Sequence, residues 1–351
     1  MFFIVGLSCI VLLLSTTGVA GLRYWATHHK ILDIPNGRSS HSNPTPRGGG
    51  LAIVATTLIF LLGYATVSHS LSLFSLLTYT AGALLIAAIS WLDDLGSLPS
   101  RTRLITHTVG AILAIWVYGF WERIVFPLPF FEQFSLNWLG LPFTFLWIVG
   151  LTNAYNFMDG IDGLAGGQAV LTGLTWAIIG GLSNQPFLTA LGLFIAASSL
   201  GFLFHNWPPA RIFMGDVGSA FLGYTFALLP LMLKHLSPED QGKSFLIGFL
   251  PLWPFIFDTT YTFLHRLRKG ENVFMPHRSH LYQRLVIVGH SHRSVTLLYL
   301  GLALLGSFLA FAWFLQLKGS AIAITLGLPL ICFCLWSYVM REERTCAIRK
   351  A

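Results

Sequence analysis

Acidic side chains are scarce in this chain, and five of them lie where apolar segments end. The chain has 14 Asp and Glu residues in all. The five are Asp93, Asp94, Asp159, Asp162 and Asp216. Carboxylates that converge on one face cannot all stay ionised without a compensating cation. Because hard carboxylate oxygens suit Mg²⁺, or Mn²⁺ in its place, better than zinc, the pattern predicts a divalent-metal site.

The pair Asp93-Asp94 ends a long apolar segment. Adjacent positions on a helix point about 100° apart, so the two carboxylates are expected to serve different partners. One could face a metal and the other an incoming acceptor. The alternative is a pair of solvated acids that only mark the end of a helix.

The segment Asn156-Phe-Met-Asp159-Gly-Ile-Asp162-Gly carries the second acidic motif. Asp159 and Asp162 are three residues apart, and the glycines permit a tight turn where the chain leaves the membrane. Asn156 adds an amide that can donate to a phosphate or to the edge of a base. A purely structural turn would need only one or two of these groups.

The third motif, Phe213-Met-Gly-Asp216-Val-Gly-Ser, leads into another apolar segment. Asp216 therefore lies beside a helix N-terminus, where free N–H groups favour a phosphate. Phe213 offers an aromatic face that could stack on a nucleobase, or it could simply anchor the loop at the membrane interface.

Basic residues fill two of the loops. Arginine makes bidentate contacts with phosphate, and histidines beside arginines suit the same task. A His-x-x-His pair alone is a weak zinc signal, and a basic loop could also rest on anionic lipid headgroups. The candidate phosphate-binding residues are Arg38, His41, Arg47, His277, Arg278 and His280.

The composition explains what positions these residues. Of the chain, 54% is hydrophobic and 10% is charged, with a mean hydropathy of +0.69, whereas soluble domains carry about a quarter charged residues. Apolar runs of membrane-spanning length without period-2 alternation predict an all-α, polytopic integral membrane bundle in a single domain, 1–351. The eleven predicted spans are 2–22, 48–68, 72–92, 104–121, 138–156, 165–183, 187–205, 218–236, 244–264, 295–316 and 320–340.

The distribution of cations predicts the orientation. Seventeen of the 21 Lys and Arg residues fall on one side of these spans. The positive-inside rule makes that side cytoplasmic, with the N-terminus outside and the C-terminus inside. The predicted active-site loops, all on that side, are 23–47, 93–103, 157–164, 206–217 and 265–294. A cleaved signal peptide is the alternative for the first span, but it lacks a basic leading segment.

Charge and cysteines exclude other classes. The net charge of +7 would suggest nucleic acid in a soluble protein, but membrane topology accounts for it, so no nucleic-acid partner is expected. Four scattered cysteines form neither a disulfide framework nor a zinc pattern. The sequence gives no oligomeric state.

Together the motifs resemble those of the polyprenyl-phosphate N-acetylhexosamine-1-phosphate transferases, glycosyltransferase family 4. The likeness runs from about residue 31 to 285 and includes Pro-Thr-Pro-Arg47-Gly-Gly, the three acidic motifs, Phe257-Asp258-Thr259 and the His277/His280 loop. It implies transfer of a sugar-1-phosphate from a UDP-N-acetylhexosamine to undecaprenyl phosphate, with release of UMP, at the cytoplasmic face of a bacterial inner membrane.

The resemblance also implies roles for individual residues. Asp216 would bind Mg²⁺, with Asp93 beside it, and Phe213 would stack on uracil. Asp93 and Asp94 would handle the metal and the acceptor phosphate. The sites for the nucleotide sugar and its diphosphate would be lined by Asn156, Asp159, Asp162 and the histidine loop.

The histidine loop and the residues after the acidic pair bear on the donor sugar. His277-Arg-Ser-His280 replaces the three consecutive histidines of lipid I synthase, and the lysine that follows its acidic pair is missing, which argues against a muramyl-pentapeptide donor. The loop resembles an O-antigen-initiating branch that uses UDP-N-acetylfucosamine or N-acetylquinovosamine. The alternative is UDP-N-acetylglucosamine, for enterobacterial common antigen or teichoic acid-type polymers.

Two rivals belong to other classes. A transporter would place its acids near the middle of the bilayer, whereas here only Asp258 falls inside a predicted span. A non-catalytic scaffold for glycan assembly would not need the acidic set.

Overall fold

The computed structural model is a bundle of long helices, described here for residues 2–35, 43–68, 70–96, 98–128, 131–236, 242–273, 275 and 277–350. The first nine helices are α1 Phe2–His28, α2 Gly50–Ser68, α3 Leu73–Gly96, α4 Ser100–Tyr118, α5 Gly140–Phe157, α6 Leu164–Leu182, α7 Pro186–Asn206, α8 Asp216–Leu236 and α9 Ser244–Arg268. The others are α10 Leu281–Ile287, α11 His292–Phe314, α12 Ser320–Ile322 and α13 Leu328–Lys350, with a π-helical turn, Ala323–Gly327, joining the last two.

Each of the eleven predicted spans falls on a helix, the last one on the continuous segment α12–α13. Eight of the described helices are long and apolar enough to cross a membrane, which confirms a polytopic membrane protein. The three below that threshold are α4, α5 and α9, which carry Arg103, Asn156 and Asp258. A helix that faces protein can carry such residues. The count of eleven spans and the orientation stay predictions.

Helix α4 differs at both ends from its predicted span, 104–121. It begins after Pro99 and ends before Gly119, whose φ of 72° does not continue a helix. Proline fixes a helix start and glycine tolerates a positive φ, so these two residues set the limits that hydropathy alone missed.

Two small antiparallel sheets qualify the all-α prediction. Strand β1, Leu32–Asp33, pairs with β2, Thr45–Pro46, and β3, Arg123–Leu128, pairs with β4, Phe131–Ser135. The second hairpin was not predicted. Its strands have six and five residues, which is too short to form an apolar run of spanning length. Helix α10 likewise interrupts the predicted loop 265–294.

Helix α8 occupies the centre of the bundle. Within one 18-residue apolar window per helix, 94% of the window is buried in α8. The corresponding share is 22% in α1 and in the final helix. It packs against α2, α3, α4, α5, α6, α7 and α9. Because α8 begins at Asp216, the most enclosed helix presents the third acidic motif at its N-terminus.

Candidate active site

Two carboxylates from different helices converge on one cation. Asp216 Oδ2, at the start of α8, lies 3.0 Å from Nη1 of Arg103 on α4. Asp93 Oδ2, near the end of α3, lies 3.1 Å from the same nitrogen. Arg103 falls within the predicted active-site loop 93–103, but no role was predicted for its side chain. Its position in the sequence shortly after Asp93-Asp94 could have indicated an ion pair with that motif.

Asn156 fixes the other side of Asp216. Its Nδ2 donates to Asp216 Oδ1 at 2.9 Å and to Ser219 Oγ at 2.8 Å. The first carboxylate of α8 is thereby held from α4 and from α5 at once. The predicted meeting of Asn156, Asp93 and Asp216 is present in the structure.

Asp94 serves the backbone of α8. Its carboxylate accepts hydrogen bonds from the N–H groups of Asp216 at 3.0 Å and Val217 at 3.1 Å. The first N–H groups of a helix have no partner within it, so a carboxylate from α3 satisfies two of them. Asp93 and Asp94 do serve different partners, as expected from their spacing. Direct contact of Asp94 with metal or acceptor stays a prediction.

The glycine of this turn is required by its surroundings. Gly215 has φ +78°, and a Cβ there would lie 2.5 Å from Asp94 Oδ2. A side chain would therefore be strained and would displace the carboxylate that holds α8.

The Pro-Thr-Pro-Arg-Gly-Gly segment braces the same turn through backbone contacts. Phe213 N donates to Pro46 O at 2.8 Å, and Gly49 N donates to Phe213 O at 3.0 Å. A Cβ on Gly50 would lie 2.4 Å from Gly218 Cα, so α2 and α8 touch backbone to backbone. These contacts position Phe213 and the start of α8 at Asp216.

The candidate phosphate-binding residues of the loop 23–47 divide into two groups, those that the structure describes and those that it does not. Arg47 lies within electrostatic reach of Asp94, and its buried Nε has no hydrogen-bond partner among the residues that the structure describes. A buried donor of this kind is available to an added acceptor such as a phosphate. Arg38 and His41 lie outside the described residues, so their phosphate contacts stay predictions.

Asp162 connects its turn to two other segments. Its Oδ2 accepts from Ala210 N at 3.0 Å, and its Oδ1 lies 3.2 Å from Nδ1 of His292. The Thr296 hydroxyl donates to the Asp162 carbonyl oxygen at 2.8 Å. Asp162 therefore holds the loop before α8 against the start of α11. His292 was not predicted, because no local motif links it to this turn.

Asp159 lies half-buried beside the other acids. Removal from solvent, together with the charges of Asp216, Asp94 and Asp162, raises the pKa of Asp159 well above its ordinary value. A carboxylate in this setting gains from any added cation. Asp159 thus lies within electrostatic reach of the other three acids, and its role at the nucleotide-sugar site stays a prediction.

The histidine loop is anchored by Asp258, a fully buried residue of α9. Five donors surround its carboxylate. A buried charge is stable only when it is hydrogen-bonded in this way. They are Tyr299 Oη at 2.6 Å, Leu281 N at 2.8 Å, Tyr282 N at 3.0 Å, His280 Nδ1 at 3.1 Å and Thr262 Oγ1 at 3.2 Å. Asp258 therefore fixes both the start of α10 and the ring of His280.

His277 stacks on His280, with ring centroids 5.0 Å apart. Burial, and then the positive charges of His280 and Arg266, lowers the pKa of His277 to about 4. The His277 ring is therefore neutral near pH 7. The neighbouring Arg278 has a buried Nε with no hydrogen-bond partner in the described part of the chain, so this loop also keeps a donor available.

Helix α10 joins the histidine loop to the acidic turn. The Tyr282 hydroxyl donates to Phe157 O at 3.0 Å, and a Cβ on Gly160 would lie 2.1 Å from that hydroxyl. Only glycine fits where the Asp159–Asp162 turn passes α10. The loops 157–164 and 265–294, predicted to share one site, are in contact.

The donor set suits a magnesium ion that is completed by substrate. In the described part of the chain, no group of three or more His, Cys, Asp or Glu side chains has the geometry of a metal cage. Mg²⁺ usually takes one or two carboxylates and completes its shell with water and substrate phosphates. Oxygens of Asp93 and Asp216 that approach one nitrogen within 3.1 Å match that requirement.

Comparison with known proteins places the chain in a family. Glycosyl transferase family 4 matches residues 76–234. A probable undecaprenyl-phosphate N-acetylglucosaminyl 1-phosphate transferase of Bacillus subtilis (strain 168) is 36% identical over 271 residues, covering 77% of this chain and 74% of that protein. The matched regions include the acidic turns and helices described above.

Two other relatives extend the comparison. A decaprenyl-phosphate N-acetylglucosaminephosphotransferase of Mycobacterium leprae (strain TN) is 31% identical over 322 residues, 84% of this chain and 79% of that protein. A phospho-N-acetylmuramoyl-pentapeptide-transferase of Listeria monocytogenes serotype 4b (strain CLIP80459) is 28% identical over 282 residues, 76% and 83% respectively. With its helical bundle, its clustered acids and these relatives, the chain belongs to glycosyl transferase family 4, the family of polyprenyl-phosphate sugar-phosphate transferases.

Proposed function

We propose that this protein transfers an N-acetylhexosamine-1-phosphate from a UDP-sugar to undecaprenyl phosphate and releases UMP. The observation that carries the proposal is the convergence of Asp93 and Asp216 on one nitrogen of Arg103, beside Asn156. Phosphoryl transfer depends on positioning and charge neutralisation more than on covalent chemistry with the protein. A rigid group of carboxylates and cations at helix ends supports that reaction.

Asp216 and Asp93 would hold the Mg²⁺, with Mn²⁺ as a substitute. When bound, the ion would neutralise charge on the substrate diphosphate. Asn156 and Asp94 would keep Asp216 in place through the contacts described above. Arg103 would remain beside both carboxylates and offer its other N–H groups to phosphate oxygens.

The reaction balances without a covalent enzyme intermediate. A phosphate oxygen of the acceptor attacks the sugar-bearing β-phosphorus, the bond from that phosphorus to the bridging oxygen breaks, and UMP leaves with the electron pair. A phosphate monoester is largely ionised near pH 7, so little help from a base is needed. Asp93 would orient the acceptor, while Arg47 and Arg278 would bind phosphate oxygens through their available N–H groups.

UDP-N-acetylglucosamine is the first donor to test. The named activities of the Bacillus and Mycobacterium relatives both concern N-acetylglucosamine, which favours the alternative considered above over N-acetylfucosamine or N-acetylquinovosamine. Phe213 would stack on uracil, and the His277–His280 loop would contact the sugar and the diphosphate. A role in O-antigen synthesis belongs to the same proposal and depends on the sugar.

The proposed setting is the cytoplasmic face of a bacterial inner membrane. Bacterial relatives and membrane-spanning helices support a multi-pass bacterial membrane protein. The excess of Lys and Arg on the side of the carboxylates supports a cytoplasmic site.

The transporter alternative loses its main candidate residue. Asp258 is the one acid inside a predicted span, and its carboxylate already accepts from five donors. A residue engaged in this way anchors a loop rather than carrying an ion through the bilayer.

The decisive experiment measures UMP release by purified protein in detergent. Undecaprenyl phosphate, Mg²⁺ and a panel of UDP-N-acetylhexosamines would be supplied, with Asp216→Asn and a chelator as controls. Release that requires both lipid and Mg²⁺ would support the reaction, and the preferred donor would identify the branch. Folded protein that releases no UMP with any donor would contradict it and favour the scaffold.

A further inference from the structure

A cavity lies at the face of the bundle opposite the carboxylates. Its volume is about 740 Å³, within the range of about 300–1,000 Å³ typical of small-ligand sites. Strand β3 forms one wall, and the connection from α11 to α12 forms another. The lining residues are Val125, Phe126, Pro127, Lys243, Trp313, Gln316, Leu317, Lys318, Gly319, Ser320, Ala321, Ile322, Thr325 and Leu326.

The polar groups of this cavity favour an anion. Lys243 and Lys318 both line it, and the lining residues that the structure describes include no Asp or Glu. Neither ammonium forms an ion pair with a described carboxylate. Two of the four Lys and Arg residues predicted for this face therefore meet at one cavity.

Trp313 adds a donor that the protein leaves unused. Its Nε1 is buried, and no hydrogen-bond acceptor lies within reach in the described chain. Leaving a buried N–H unsatisfied costs about 1–3 kcal/mol. An acceptor supplied by a ligand would remove that cost.

The carbonyls at the end of α11 do not offset this positive character. Leu315 N donates to Phe311 O at 2.9 Å, Leu317 N to Ala312 O at 2.9 Å, and Gln316 N to Trp313 O at 3.1 Å. These acceptors are occupied by local hydrogen bonds. The side chains of Gln316, Ser320 and Thr325 add polar groups that can both donate and accept.

The apolar part of the lining and its depth identify the kind of ligand. Leu317, Ile322 and Leu326 surround the cations with hydrocarbon. The cavity lies where α11 ends and α12 begins, and both belong to membrane-spanning segments. That boundary is the level of lipid headgroups, where amphipathic aromatic residues and lysines lie.

We infer that this cavity binds an anionic glycerophospholipid, with its phosphate between Lys243 and Lys318 near Trp313 Nε1. A polyprenyl diphosphate fits less well, because its higher charge calls for arginines or a carboxylate-bound metal. The described part of the lining has neither an arginine nor a carboxylate. The site does not depend on the transfer reaction. Bound lipid would join β3 to the start of α12.

The test compares phosphatidylglycerol with zwitterionic phosphatidylcholine in mixed detergent micelles. Native mass spectrometry would measure the bound lipid, and thermal unfolding would measure stabilisation, which a ligand of the folded state provides. We expect phosphatidylglycerol to raise Tm more than phosphatidylcholine. The Lys318→Ala change should weaken binding about fivefold, since a lysine near a lipid surface contributes about 1 kcal/mol.

Matched variants separate this cavity from general attraction to lipid. Arg123→Ala removes an exposed cation from the same face but not from the lining, and it should bind like the unaltered protein. Trp313→Phe keeps the aromatic ring and removes only the N–H, and it should weaken binding without unfolding the bundle. Lipid bound elsewhere is common to all variants and cancels in the comparison.

Three results would overturn the inference. The first is an equal response to both lipids, and the second is equal binding by Lys318→Ala, Trp313→Phe and Arg123→Ala. The third is displacement of phosphatidylglycerol by an equimolar polyprenyl diphosphate, which would assign the cavity to that lipid class instead.

Discussion

The two ends of α8 are held in place by different physical interactions. At its N-terminus, Asp94, Asn156 and Arg103 reach the helix through hydrogen bonds and charge. Near its other end, Lys234 Nζ donates to Phe120 O at 2.6 Å. The neighbouring helices α5 and α9 pack there through an aromatic cluster around Phe245, with ring centroids 4.9 Å from Trp147 and 5.1 Å from Phe143. Polar contacts fix the direction of particular atoms, whereas apolar packing depends mainly on filled volume. The end that would do chemistry therefore tolerates less change.

Removal of one charge at the polar end should have the largest effect. Asp216→Asn keeps the shape of the side chain but removes the charge, and we expect kcat to fall by about 10²–10³-fold, as when a main electrostatic group is lost. UMP release at saturating substrate measures it. Glu122→Gln, an exposed acid at the opposite face, is the control and should stay near full activity. Turnover within a few-fold of normal in Asp216→Asn would exclude Asp216 as the metal ligand.

Asp94→Asn should lower both stability and rate. An amide can accept from only one of the two N–H groups that the carboxylate now satisfies, which costs about 1–3 kcal/mol. Thermal unfolding and UMP release, measured on the same sample, would show both losses. If Asp94→Asn lost activity with an unchanged Tm, a direct role at the substrate would replace the capping role.

At the aromatic end we expect a change to lower stability while leaving activity nearly unaltered. Phe245→Leu removes ring–ring contacts worth about 0.5–1.5 kcal/mol per pair, so the free energy of unfolding should fall by about 1–2 kcal/mol. Activity per folded molecule should change less than twofold. A large fall in kcat with normal stability would mean that the two ends of α8 are not independent.

The smallest predicted effect depends on pH, and it is a gain in stability where the changes above cause losses. The raised pKa of Asp159 means that the folded protein binds this proton more tightly than the unfolded chain does. Its contribution to stability is then full below the ordinary pKa, near ~4, and is lost as the pH rises through the raised value.

Asp159→Asn should therefore stabilise the protein at pH 8 by on the order of 1 kcal/mol or more, and by almost nothing at a pH of about 3, below the ordinary pKa. Thermal unfolding with a chelator present measures the difference between the two pH values. An equal shift at both would mean that Asp159 is not held among carboxylates.

Much of this arrangement could be predicted from the sequence, because hydropathy and acidic motifs are local signals. Asp93, Asp94 and Asp216 all end or begin apolar segments, so their shared face follows from helix length. Contacts between distant segments left no such signal. His292 meets Asp162 across 130 positions, and Arg103 meets Asp216 across 113.

Backbone contacts and short elements also escaped prediction. Asp94 bonds to main-chain N–H groups, which every residue possesses, so its side chain alone suggested a ligand. The β3–β4 hairpin lies in a loop with no apolar run of spanning length. Asp258 was noted as part of a motif, but its five donors become visible only once α9, α10 and α11 are brought together.

The attachment of the α8 N-terminus to four other helices has a mechanical consequence. The start of α8 is held by α3 through Asp94, by α4 through Arg103, by α5 through Asn156 and by α2 through Gly50, which lies against Gly218. A bilayer of different thickness acts on helices by tilting those that lipid contacts. The outer helices α1 and α13 can tilt in this way, while Asp216 stays aligned with its neighbours. Turnover should therefore vary little among lipids of different chain length.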